Sequence, residues 1–402
     1  MAEVTRVETG QRRWLMLGLA MAAQATTCMY LYGIAYLLPA LRAEFGITLA
    51  EATVLVVAPG VGLMATLILW GAVADRYGER LAMSVGLGGA GVLVALVPLV
   101  GGASAVAVLL MAGGASGAAV NAGSGRIILG WFPANRRGVA MGARQMALPI
   151  GLALAAATLP PLAERYGFGR ALLLPAAAAL GVAVLVAVLV TDPPHAAADG
   201  PAPTGSPYRA MPIWRVHASS GLLVVPQLVV ATFALVYLVD ELGWAPTQAG
   251  ALLAVVQIVG ASTRLLAGMW SDRVASRLRP MRLLAYVNAA TMTVLAALAL
   301  AGSSAAVAAL VVCAVVTVSG NGLAFTAVAE IAGRAWAGRA LGAQNTVQGV
   351  AATVTAPAFA VVITQTSYGS AYLMAAAFPL LAASVVPVAA EGGGGLATGS
   401  NG

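Results

Sequence analysis

Lysine is absent from this 402-residue chain, histidine and cysteine occur twice each, and charged residues make up only 9% of it. Soluble domains carry roughly 25% charged residues, so a water-covered globular surface is excluded. Cys28 and Cys313 both lie in apolar runs, which excludes a disulfide framework and a CxxC metal or redox site. His217 has no Cys, His or Asp near it in sequence, and neither a metal centre nor another cofactor is expected. All 21 basic residues are arginine, a choice that fits a GC-rich genome. They fall in short loops between apolar runs rather than along one face, so the net charge of +7 does not point to nucleic acid.

What is abundant is hydrocarbon: 60% of residues are hydrophobic and the mean hydropathy is +0.91. A helix needs about 20 apolar residues to cross a bilayer core. Twelve such windows occur, at 15–41, 50–74, 81–101, 104–131, 138–162, 168–191, 212–239, 247–270, 281–301, 304–333, 340–365 and 369–388. The fold class is therefore an all-α, multi-pass membrane protein with lipid as its solvent. Six windows precede and six follow the polar stretch 192–210, whose Pro193, Pro194, Pro201, Pro203 and Pro207 mark a joint. The expected organisation is a first half at 1–191, a cytoplasmic linker at 192–210, a second half at 211–388 and a flexible tail at 389–402.

Arginine placement sets the expected orientation. With the N-terminus cytoplasmic, Arg6, Arg12, Arg13, Arg76, Arg80, Arg136, Arg137, Arg209, Arg215, Arg273, Arg277, Arg279, Arg282, Arg334 and Arg339 fall inside, against Arg42, Arg165 and Arg170 outside. Both termini are then cytoplasmic, in a bacterial inner membrane. Gln11-Arg12-Arg13-Trp14-Leu15 has a twin-arginine flavour, but eleven further windows favour an uncleaved first helix.

The halves repeat. Gly71-Ala72-Val73-Ala74-Asp75-Arg76 closes the second window and Gly268-Met269-Trp270-Ser271-Asp272-Arg273 closes the eighth, 197 positions later. Gly142-Ala143-Arg144-Gln145 opens the fifth and Gly342-Ala343-Gln344-Asn345 the eleventh, 200 positions later. Two matches at nearly one offset indicate duplication, a known design for transporters with cargo between the halves.

The stretch from Gly71 through Asp75, Arg76 and Gly78 to Arg80 resembles the signature loop between spans two and three of the major facilitator superfamily. The window count, central joint and repeat agree with that resemblance over nearly the whole chain. It implies two pseudo-symmetric six-helix bundles, acting as a monomer and as a transporter rather than an enzyme. It also implies a conformational latch of Asp75, Arg76 and Arg80, repeated by Asp272 and Arg273. Glu330, the one carboxylate well inside a window, resembles the acid packed against the second latch, with Arg273 as its expected partner and proton transfer as the lesser alternative.

Three arginines lie inside apolar windows: Arg126, Arg144 and Arg264. A guanidinium in hydrocarbon is costly, so it is expected to face a cavity and meet a negative group. Thr263-Arg264-Leu265-Leu266-Ala267-Gly268 is similar to the eighth span of oxalate:formate antiporters and monocarboxylate transporters, where the arginine at this spacing binds the substrate carboxylate. Arg264 lies eight residues, about 12 Å, from Asp272. For Arg126 and Arg144, cargo contact and snorkelling to the interface stay open. Tyr30, Gln145, Gln257 and Asn321 are further candidates for the cavity wall, as are Gln24, Tyr36, Gln227, Asn345 and Gln348, although such groups also bridge helices.

Other motifs fall away. Gly86 to Gly91 matches a dinucleotide fingerprint in spacing, but no strand precedes it. There is no Walker motif to support ATP-driven pumping. The expected function is secondary transport of a small organic anion, as proton symporter or anion exchanger. The rival is proton-coupled multidrug efflux, echoed by Pro149-Ile150-Gly151. It is weakened by Gly113, where such antiporters carry an arginine, and by the lack of a carboxylate in the first window.

Overall fold

A computed structural model describes residues 2–132, 140, 143–192 and 206–392, with the side chains of 2–11, 75, 126, 128–130, 265, 333–335, 337–339 and 392 outside the described set. Among the described residues there is no strand. Among the described residues, twelve helical spans are long and apolar enough to cross a membrane. Spans 1–6 are Arg12–Leu31, Leu49–Ala74, Glu79–Leu99, Ala103–Gly125, Ala143–Tyr166 and Phe168–Leu189. Spans 7–12 are Met211–Glu241, Pro246–Arg273, Leu278–Leu300, Ala306–Ala332, Ala340–Gln365 and Tyr368–Glu391.

Several boundaries differ from expectation; span 1, for example, ends at Leu31 rather than 41. The backbone stays helical through 333–339, where a loop between spans 10 and 11 was expected. The segment holds no proline, so its two glycines, Gly333 and Gly338, weaken the helix without ending it. Span 12 reaches Glu391, three residues beyond the expected end, through a break at 386–388 between the helices Tyr368–Val385 and Ala389–Gly392.

The chain forms two compact units. Unit 1 is Met1–Asp199 with Val239–Val255, and unit 2 is Gly200–Leu238 with Val256–Gly402. The connection between spans 7 and 8 thus belongs by contact with the first six spans. Arg42 pairs with Asp240. Glu164 accepts from the Thr247 backbone N–H at 3.0 Å and from its hydroxyl at 2.6 Å, which caps the start of span 8. A Cβ on Gly250 would lie 2.3 Å from the Ala156 carbonyl oxygen, so span 8 touches span 5 backbone to backbone.

Close approach also organises unit 1 internally. A Cβ on Gly62 would fall 1.9 Å from the Met111 carbonyl oxygen, and one on Gly114 the same distance from that of Pro59. In lipid, where no hydrophobic force separates helix from solvent, small residues that let backbones pack are a main source of association. Spans 2 and 4 meet this way.

Both units use one carboxylate to cap a helix start. In unit 1 the chain turns at Gly78 (φ 89°), and Asp192, just past span 6, accepts from the Arg80 N–H at 2.7 Å. In unit 2 it turns at Ala275 (φ 48°), and Glu391 at the end of span 12 accepts from the N–H groups of Arg277 and Leu278 at 2.7 and 2.9 Å. Ser276 donates its hydroxyl to the same carboxylate. The first turn of a helix leaves N–H groups without helical partners, and an anion there satisfies them.

Candidate substrate sites

In unit 1 the polar residues of spans 1, 4 and 5 converge on Arg144. Its Nε donates to Ser124 Oγ at 3.0 Å and its Nη2 to Gln24 Oε1 at 3.2 Å. Gln24 Oε1 also accepts from the Ser124 hydroxyl at 3.4 Å, while its Nε2 donates to Asn121 Oδ1 at 3.2 Å and to Cys28 Sγ at 3.7 Å. Ser124 is fully buried. Asn121 Nδ2 is sealed from solvent with no partner among the described residues. Every partner of the guanidinium among the described residues is neutral.

In unit 2, Gly260 lets span 8 close on span 10, since a Cβ there would sit 2.9 Å from a methyl of Val318. One turn later the Nε of Arg264 donates to the Val318 carbonyl oxygen at 3.2 Å. Arg264 is half-buried and forms no ion pair among the described residues. Among the described residues its two Nη groups have no hydrogen-bond acceptor.

The remaining expected residues divide by role. Asn321 Nδ2 donates to Gln227 Oε1 at 2.8 Å, an amide pair between spans 10 and 7. Tyr30 is 1% exposed and its hydroxyl lies over Gly117, where a Cβ would be 1.7 Å away, so its ring is packed against span 4. Gln257 is half-buried on span 8, and Gln145 is exposed beside Arg144. Arg126 lies on the helix Ala103–Trp131 just past span 4 and Asp75 just past span 2, and both side chains are outside the described residues. Gln348 donates to Ser220 at 2.8 Å. His217 is buried between Gln344 and Tyr208, the latter at 3.3 Å.

The latch of unit 2 needs one correction. Glu330 pairs not with Arg273, which is exposed, but with Arg277, whose Nε donates to it at 3.1 Å. The turn at Ala275 brings Arg277 back over the end of span 8, where it also bonds Asp272 and donates to Ser271 Oγ at 2.9 Å. Burial opposes charge on Arg277, but the bonds to Asp272 and Glu330 outweigh it and hold its pKa above the ordinary arginine value. In unit 1, Arg80 donates through Nε to the Ala187 carbonyl at 2.6 Å, and Arg76 lies over the Tyr77 ring at 5.5 Å. Sequence reasoning passed over Arg277, Asp192 and Glu391. The signal for the first was present, because the offset of 197 that matches Asp75 to Asp272 also matches Arg80 to Arg277.

Comparison with known proteins is consistent across the chain. A sequence model described as Major Facilitator Superfamily matches residues 15–357 and 229–391. An uncharacterized MFS-type transporter, Rv2994 of Mycobacterium tuberculosis (strain ATCC 25618 / H37Rv), is 39% identical over 379 residues, covering 94% of this chain and 85% of the relative. Among solved structures, a bacterial homolog of the human lysosomal transporter Spinster, inward-facing and occupied, superposes with a TM-score of 0.77 at 14% identity, covering 94% of this chain and 97% of that one. A D-xylose-proton symporter superposes with a TM-score of 0.71 at 17% identity, covering 90% of this chain and 96% of that one.

Proposed function

Because this chain belongs to the Major Facilitator Superfamily, we propose that it is a secondary active transporter for a small organic anion, a mono- or dicarboxylate, moved by alternating access. The observation that carries this reading is Arg264, a guanidinium inside a membrane span whose Nε is tethered to a backbone carbonyl and whose two Nη groups meet no acid among the described residues. That free edge is a planar two-donor fork, which matches the two oxygens of a carboxylate. A bare guanidinium is expensive to enclose in hydrocarbon, and a bound anion removes much of that cost. Closure around the loaded site is then favoured over closure around the empty one, which is the differential binding that drives a conformational change.

Asp75, Arg76 and Arg80 in unit 1, and Asp272, Arg277 and Glu330 in unit 2, act as the latches of that cycle. Both termini lie in the cytoplasm, following the arginine bias of the connecting segments. Coupling is to a proton, as in the structurally similar D-xylose-proton symporter, or to a counter-anion.

A thermal-shift screen of purified protein against mono- and dicarboxylates, sugars, amino acids and lipophilic cations tests the reading. Stabilisation by carboxylates is expected. Stabilisation by lipophilic cations alone would overturn it in favour of drug efflux.

A further inference from the structure

Resting on the reading of an anionic substrate, we infer that unit 1 holds an oxyanion site of its own, in which Arg144 is the ligand and Gln24 the positioning residue that aims it. The ligand class is a carboxylate.

The duplication supplies the first argument. Asn121 and Asn321 stand 200 positions apart, and each bonds a glutamine from the first span of its own unit, Gln24 and Gln227 respectively. A neutral amide pair is thus the shared framework of both units. Arg144 corresponds at the same offset to Gln344, a fully buried amide bonded to His217. Unit 2 therefore fills this position with a neutral side chain. Packing does not demand a cation at 144, and the charge there is an addition to the framework.

Geometry supplies the second. Arginine carries five N–H donors. Arg144 gives Nε–H to Ser124 and one Nη2–H to Gln24, which lie along one edge of the guanidinium. The opposite edge, Nη1 with the second Nη2 hydrogen, meets no carboxylate among the described residues. Gln24 cannot swing away without breaking its other bonds to Asn121 and Cys28. The plane of the fork is therefore fixed by a residue that never touches the anion. Asn121 Nδ2, sealed and unpartnered among the described residues, is a further donor within the same cluster.

Charge supplies the third. Gln24 is isosteric with glutamate. A carboxylate in its place would pair with Arg144 and leave no net positive charge for a guest, while adding a salt bridge to the fold. A structural arginine would gain from that change, and a ligand-binding arginine would lose its function.

The full-length protein and its Gln24→Glu, Gln24→Met and Arg144→Gln variants are titrated with acetate and with succinate, reading both the melting temperature and the dissociation constant. Gln24→Glu should melt at or above the wild-type temperature without anion and bind anion at least about tenfold more weakly, as Arg144→Gln does. Gln24→Met keeps the charge but frees the fork, and should bind several-fold more weakly. Wild-type affinity in Gln24→Glu overturns the inference. Should that variant fail to give monodisperse protein, unchanged affinity in both Arg144→Gln and Gln24→Met overturns it instead. Loss of binding in Arg264→Ala with wild-type binding in Arg144→Gln discards this site alone. A wild-type protein that responds to neither anion removes the functional reading and this site with it.

Discussion

Glu330 accepts a hydrogen bond from Nε of Arg277 at 3.1 Å, joining span 10 to the turn between spans 8 and 9. Both side chains are partly exposed, so screening limits what the pair contributes. A double-mutant cycle of Arg277→Gln and Glu330→Gln, read by thermal unfolding, should give a coupling of about 0.2–1 kcal/mol. The same cycle with Arg273→Gln should give none.

Glu391 holds the N–H groups of Arg277 and Leu278 and the hydroxyl of Ser276. Glu391→Ala should lower stability by about 0.5–2 kcal/mol, the range for loss of a helix cap. Glu391→Gln retains an acceptor and should recover part of the loss. Melting temperatures of the two variants check the order.

Gly114 touches the Pro59 carbonyl so closely that a methyl group would sit 1.9 Å from it, whereas a Cβ on Gly125 of the same span meets nothing within 4 Å. Gly114→Ala should separate spans 2 and 4 and sharply reduce the yield of monodisperse protein. Gly125→Ala should be tolerated. Size-exclusion profiles from matched membrane preparations make the comparison.

The spans were readable in sequence because their signal is additive: twenty apolar residues announce a crossing whatever their neighbours do. The contacts that organise each unit are of another kind. Asp192 and Glu391 sit in segments whose composition reads as joint and tail, and nothing local says that their carboxylates close the starts of spans 3 and 9. Arg277 could be reached through the 197-position repeat, but its partners depend on one backbone angle, the positive φ of Ala275, which reverses the chain and sends the arginine back to Asp272. Arg144 was legible as a costly charge in an apolar run. Its tethers to Ser124 and Gln24, 20 and 120 positions away, belong to tertiary packing that no window reveals.

Arg264→Lys distinguishes fork from charge. Lysine keeps one positive charge at the same depth but is a point donor that cannot bridge two oxygens in plane. Carboxylate affinity should fall by about tenfold or more, the equivalent of one charge-assisted hydrogen bond. Titration calorimetry on wild type and variant reads it directly.

The central claim is that Arg264 meets the anionic group of the cargo. Uptake of radiolabelled acetate and succinate into proteoliposomes containing equal amounts of inserted wild-type or Arg264→Ala protein tests it most directly. Uptake by the wild type of at least one of these acids, with background counts for the variant at unchanged melting temperature, is the predicted result. Equal uptake by the two proteins would contradict the account.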